Sequence, residues 1–249
     1  MSIFHSLILG LLQGITEFLP ISSSGHLVLF ETILKLEVET LKGFDVALHV
    51  ASLLAILFYF RKKIIQIILK DQKYILWLIV GTIPAVAIGL TLEDKIDAIF
   101  RGTLAVGIVM AVTATFFLIA EKFKPQKSNL TAKKSFIIGL AQALALIPGV
   151  SRSGSTIAAG LLTGAERVKA AEFSFLLGSV AITGAGLLTA LDDPQLPATQ
   201  PLIAGFLASL IASYFAIKFL MYFFKKNTLK PFAYYLFAVS ALTIILSLT

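Results

Sequence analysis

Apolar residues in this chain come in long blocks separated by short charged connectors. Six blocks, at 44–60, 74–92, 103–120, 171–191, 202–224 and 232–248, are long enough to cross roughly 30 Å of hydrocarbon as helices. Two further apolar stretches, 2–34 and 134–164, are broken in the middle by Pro20-Ile21-Ser22-Ser23-Ser24-Gly25 and by Pro148-Gly149-Val150-Ser151-Arg152-Ser153-Gly154. Each arm is too short to span comfortably, so the pattern predicts helix, loop, helix segments that re-enter from one side. Eight plain crossings with two kinks is the alternative.

The two broken stretches resemble each other. At an offset of 129 positions, Ser6, Gly10, Leu11, Gln13, Ser22, Ser24 and Gly25 meet Ser135, Gly139, Leu140, Gln142, Ser151, Ser153 and Gly154 without a gap. We read residues 1–249 as a single membrane domain in which one unit is used twice, as residues 1–122 and 130–249. Each unit holds one broken segment and three spans, and a composite polar site lies where the copies meet.

Composition removes the soluble alternatives. Of the 249 residues 57% are hydrophobic and only 14% charged, with a mean hydropathy of +0.91; soluble domains carry about a quarter charged residues. The net charge of +7 would suggest nucleic acid in a soluble chain. Here the basic residues fall in short connectors, so they report topology. Arg61, Lys62, Lys63, Lys70 and Lys73, then Lys122, Lys124, Lys127, Lys133 and Lys134, then Lys218, Lys225, Lys226 and Lys230 mark one face. The intervening connectors carry Glu31, Glu37, Glu39 and Asp45, then Glu93, Asp94 and Asp97, then Asp192 and Asp193, against Lys35, Lys42, Lys95 and Arg101. By the positive-inside rule the basic face is cytoplasmic and both termini are outside. An odd number of spans per half makes the repeats inverted, so their broken segments enter from opposite leaflets. Without cysteine there is no disulfide or thiolate site. Residues 1–20 lack a basic leader region and are read as a helix, not a cleaved signal.

The candidate chemistry sits in the breaks. Gln13 and Glu17 are four apart and share a helix face, and a charge at mid-bilayer costs about 2.5–3.5 kcal/mol on insertion scales, which marks Glu17 as functional. Its bland alternative is a hydrogen-bonded fastener between helices. Arg152 carries a guanidinium shaped for phosphate; its bland alternative is an ion pair with Glu17 and nothing else. Gly149 and Gly154, with Ser151, Ser153 and Ser155, would let backbone N–H groups turn inward as a nest at a helix N-terminus. His26 follows Ser-Ser-Ser-Gly and could be general base, general acid or nucleophile. Ser23, aligned with Arg152 in the repeat, is a nucleophile or phosphate donor. Ser22 and Ser24 are equally able to cap a broken helix end. His5 and His49 lack such company and are read as interfacial or core residues. Glu17 beside phosphate oxygens suits Mg²⁺ or Ca²⁺, which take oxygen ligands, and a single carboxylate specifies neither.

Gln-Gly-Ile-Thr-Glu-Phe-Leu-Pro-Ile-Ser-Ser-Ser-Gly-His at 13–26 and Pro-Gly-Val-Ser-Arg-Ser-Gly-Ser-Thr at 148–156 resemble the two signature motifs of the bacterial undecaprenyl-diphosphatases, the bacitracin-resistance proteins. The likeness runs the length of the chain and includes Phe44-Asp45-Val46-Ala47-Leu48-His49. It implies a membrane phosphatase that converts undecaprenyl diphosphate to the monophosphate for cell-wall synthesis, depends on a divalent cation, and opens its site to the outer face of the cell membrane. The essential Glu, Ser, His and Arg of the family fall on Glu17, Ser23, His26 and Arg152. Ser22, Ser24, Gly25, Gly149, Ser151, Ser153 and Gly154 then line the phosphate. Many members carry Glu where this chain has Gln13, which puts a two-carboxylate metal site in doubt; many carry Thr at Ser24. The expected partners are the polyprenyl diphosphate and the bilayer, not nucleic acid, with a homodimer left open. A secondary transporter or polyprenyl-phosphate flippase on the same inverted repeat is the rival function.

Overall fold

The computed structural model describes residues 2–34, 42–100, 102–123, 126, 129–191 and 198–248. Among the connector charges, Lys35, Glu37, Glu39, Arg101, Lys124, Lys127, Asp192 and Asp193 lie outside the described residues. The described residues form eleven helices and no strand. Helices α1 (Ile3–Phe18) and α2 (Ser23–Leu34) make up the first broken stretch, α7 (Ala132–Leu144) and α8 (Arg152–Leu162) the second. Five helices are long and apolar enough to cross a membrane: α5 (Gln72–Phe100), α6 (Thr103–Ala120), α9 (Arg167–Leu191), α10 (Thr199–Phe223) and α11 (Lys230–Leu248). A sixth is reached when α3 (Lys42–Tyr59) is taken with α4 (Arg61–Lys70), which bends away from it by 68°. Every apolar block therefore becomes a helix of a multi-pass membrane protein.

One connector differs from expectation. Residues 61–70 are a helix and not a loop, because after the basic Arg61-Lys62-Lys63 the apolar Ile64, Ile67 and Ile68 recur three and four residues apart, at helical spacing. Ile67 is buried while Ile65, Ile68 and Leu69 stay exposed. A short basic helix with one apolar side suits the level of the lipid head groups.

The two breaks have local causes. Leu19 takes extended backbone (φ −65°, ψ 138°) because the ring of Pro20 disfavours a helical residue before it. Ser22 then adopts a left-handed conformation, φ 67°, and its hydroxyl accepts the Gly25 N–H at 3.3 Å to start α2. In the second stretch α7 stops at Leu144. The chain turns through Gly149 at φ +94°, where an added Cβ would lie 2.7 Å from the Val106 carbonyl oxygen. Ser151 caps α8 by accepting the Gly154 N–H at 3.2 Å. Both loops end earlier than expected, so residues 23–25 and 152–154 form the first turns of α2 and α8.

Small residues set the packing that holds the breaks together. Helix α1 runs against α10 and α7 against α5. A Cβ on Gly10 would collide with the Gly205 carbonyl, and one on Gly139 with the Gly81 carbonyl. Next to Gly14 the Ser209 carbonyl oxygen leaves only 2.5 Å for a Cβ. Helix α3 packs on α9 and α10, joined to the latter by Ser52–Ser213 and Ser52–Ser209 hydroxyl contacts of 3.0 and 3.3 Å. Phe18, Phe117, Phe175, Ile157 and Ile217 fill the core beneath the breaks.

Candidate active site

Four elements converge on one carboxylate. Glu17 stands at the end of α1, Ser23 and Arg152 at the first residues of α2 and α8, and His49 midway along α3. Glu17 is buried, and its Oε1 accepts a hydrogen bond from Arg152 Nη2. The other oxygen, Oε2, accepts from Ser23 Oγ at 2.8 Å and from Gln13 Nε2 at 3.1 Å. His49 Nε2 lies 3.7 Å from that same oxygen. A buried ion pair left with unmet hydrogen bonds is costly, and here the remaining carboxylate lone pairs are taken up by neutral donors.

Around this core the breaks touch directly. Ser153 Oγ donates to the Leu19 carbonyl at 3.3 Å, which ties the start of α8 to the end of α1. The Arg152 side chain lies over Gly178 of α9, where any Cβ would collide with the guanidinium. Thr156 and Ser174 hydroxyls meet at 2.5 Å and hold α8 on α9. A Cβ added to Gly154 would run into the Phe117 ring, and one on Gly25 would lie 3.1 Å from Met110 Cε, so α6 packs closely under both first turns.

The expected site residues divide by geometry. Glu17, Ser23 and Arg152 share one hydrogen-bonded cluster. His26 faces elsewhere: Nδ1 is 2.8 Å from the Ser22 carbonyl and Nε2 2.8 Å from the Tyr235 hydroxyl, with the two rings stacked. Ser22 and Ser151 serve as caps, so the Gly25 and Gly154 amides are already occupied. Ser24 contacts Ser22 Oγ at 3.4 Å. The reading of His49 as a residue without company is corrected. Its Nδ1 is held at 2.8 Å by the Asp45 carbonyl, which fixes the ring and turns Nε2 to Glu17. The signal lay in the repeat: at the 129-residue offset His49 aligns with Gly178, the residue beneath Arg152.

Among the described residues no group of three His, Cys, Asp or Glu side chains is placed to hold a metal. Gln13 Oε1 is buried without a hydrogen-bond partner, while the same amide's nitrogen donates to Glu17, so one oxygen of the kind a hard cation takes stands free beside the cluster.

Fold and cluster define a multi-pass helical membrane protein with a buried carboxylate–guanidinium site between two broken stretches. Residues 6–242 match the family described as Bacitracin resistance protein BacA, and the chain belongs to it. It is 42% identical to the undecaprenyl-diphosphatase of Methanosphaera stadtmanae over 99% of both chains. The protein of the same name from Elusimicrobium minutum is 42% identical over 100% of this chain and 99% of its own. That from Thermodesulfovibrio yellowstonii is 41% identical over 94% and 93%.

Proposed function

We propose that this protein is an undecaprenyl-diphosphatase, which hydrolyses undecaprenyl diphosphate to undecaprenyl phosphate and inorganic phosphate and so recycles the lipid carrier of cell-wall synthesis. Full-length likeness to enzymes of that name carries the reading, and the cluster around Glu17 gives it a chemistry. The Ser23 hydroxyl, 2.8 Å from Glu17, is the nucleophile. Its oxygen bonds to the terminal phosphorus as the anhydride P–O bond breaks, and its proton passes through Glu17 to the departing undecaprenyl phosphate, which leaves Glu17 a carboxylate again. Water then attacks the phosphoserine with Glu17 as base, which frees phosphate and restores the hydroxyl. Arg152 shifts from the carboxylate toward the phosphoryl oxygens, where its charge matters most in the transition state. With both ring nitrogens engaged elsewhere, His26 braces the first break and does not attack. A Mg²⁺ or Ca²⁺ ion, held by Glu17 and Gln13 Oε1, would neutralise phosphate charge.

The two halves are read as inverted repeats whose re-entrant helices meet near mid-bilayer, with both termini and the site mouth on the outer side. Exchange-related packing supports this: α1 on α10 answers α7 on α5, with Gly10 against Gly205 and Gly139 against Gly81. Connector charge supports the orientation. The same symmetry suits a transporter, and a detergent assay separates the two. Purified protein, with no membrane and no gradient, is expected to release phosphate from a short-chain polyprenyl diphosphate. A pure transporter leaves that substrate intact.

A further inference from the structure

An apolar furrow that the chemistry at Glu17 does not use runs along the seam between α3 and α10. Its wider part holds about 680 Å³ between Leu54, Phe58, Arg61, Ile211, Tyr214 and Phe215. A second part of about 400 Å³ continues the same seam between Ala47, Val50, Ile203 and Phe206. From Ala47 to Tyr59, the end of α3, this is about 18 Å of helix rise, more than half of the ~30 Å hydrocarbon layer. Apolar walls are ordinary on a lipid-facing surface. The end of the furrow is not.

Arg61 closes it, with its guanidinium 4.6 Å from the centre of the Phe58 ring and one N–H donated to the Phe58 carbonyl at 2.7 Å. That leaves further N–H donors directed outward. Lys218, exposed on α10, lies three and four residues beyond Phe215 and Tyr214 and so continues the same face of the helix. Among the described residues neither cation has a carboxylate partner. The basic helix α4 begins at this point and turns 68° off the span. A long apolar groove ending in two unpaired cations complements a chain with an anionic head. The last residue of α3, Tyr59, is ten residues beyond His49, about 15 Å along the helix, and Arg61 lies past it, so one phosphate cannot occupy both this end and the Glu17 cluster.

We propose that the α3–α10 furrow binds an anionic glycerophospholipid of the bilayer, with an acyl chain in the groove and its phosphate on Arg61 and Lys218. The site is separate from the hydrolytic one and does not rest on it. Native mass spectrometry tests it on the full chain released from micelles doped with equal amounts of phosphatidylglycerol and phosphatidylcholine of matched chains. Wild-type protein should retain phosphatidylglycerol several-fold over phosphatidylcholine. The Arg61→Gln/Lys218→Gln variant should bring the two to parity, Ile211→Trp should lower retention of both by filling the groove, and Lys133→Gln/Lys134→Gln, on α7, should keep the wild-type preference. Thermal melts by circular dichroism establish that each variant is folded. Parity in the wild type, an unchanged preference in the Arg61/Lys218 variant, or an equal loss in the Lys133/Lys134 variant overturns the proposal. Complete displacement of bound phosphatidylglycerol by an equimolar short-chain polyprenyl phosphate also overturns it, because the occupant would then be an isoprenoid lipid.

Discussion

Ser22 and Ser23 are neighbours with opposite duties. Ser22 caps α2 from a left-handed backbone, whereas Ser23 directs its hydroxyl to Glu17. Ser22→Ala should therefore cost about 1 kcal/mol of stability, the usual loss for a helix cap, and leave phosphate release within a few-fold of wild type. Ser23→Ala should melt near wild type and lose release by at least about a hundredfold, the scale of removing a group that acts in the transition state. Paired melting curves and turnover assays check both. Glu17→Ala leaves the Arg152 guanidinium without its carboxylate, which we expect to destabilise the fold by about 3–5 kcal/mol, read as a lowered melting temperature in detergent. The Gln13–Glu17 pair was legible in the chain because four-residue spacing is a local rule. Arg152 was legible as a lone cation in an apolar break. His49 was less legible, since tertiary packing of α3 brings it to Glu17, and only its place in the Phe44–His49 stretch and in the repeat marked it.

At the level of elements, block length alone located the spans, for a membrane-crossing helix must satisfy its own backbone. Helix ends were less accessible: the caps at Ser22 and Ser151 pull residues 23–25 and 152–154 into helices, and a chain reading that stops at Pro and Gly misses that gain. Helix α4 was hidden for a related reason, because its basic residues carry a topology signal that masks the apolar side beneath them. Close helix contact gives a sharp prediction. Gly139→Val drives a side chain into the Gly81 carbonyl and should abolish recovery of folded protein or cost more than the ~1–3 kcal/mol typical of overpacking. Gly89→Ala, whose Cβ would meet only Leu146 at 3.8 Å, should instead melt at or above wild type, since alanine is the better helix former by about 1 kcal/mol. Thermal unfolding of the two in one detergent decides it.

Over the whole molecule, the buried charges and the paired stretches belong to one design. Neither broken stretch holds a complete site: the first supplies carboxylate and hydroxyl, the second supplies the guanidinium, and the packing of α1 on α10 and α7 on α5 brings them together. In a second, partly buried pair, Glu121 with Arg167, the Glu121 carboxylate also accepts the Leu229 N–H at 2.7 Å and locks α6, α9 and the turn before α11. Under the proposed function, fastening falls to this ion pair and chemistry to the Glu17–Arg152 pair. The most direct test of that division is the rate of phosphate release from a short-chain polyprenyl diphosphate by purified wild-type protein and by Arg152→Lys. Lysine keeps the charge but loses the planar fork, so the account predicts steady turnover by the wild type and a fall of about 10²–10³-fold in a variant that still folds. Equal rates for the two proteins, or intact substrate after incubation with the wild type, would contradict it.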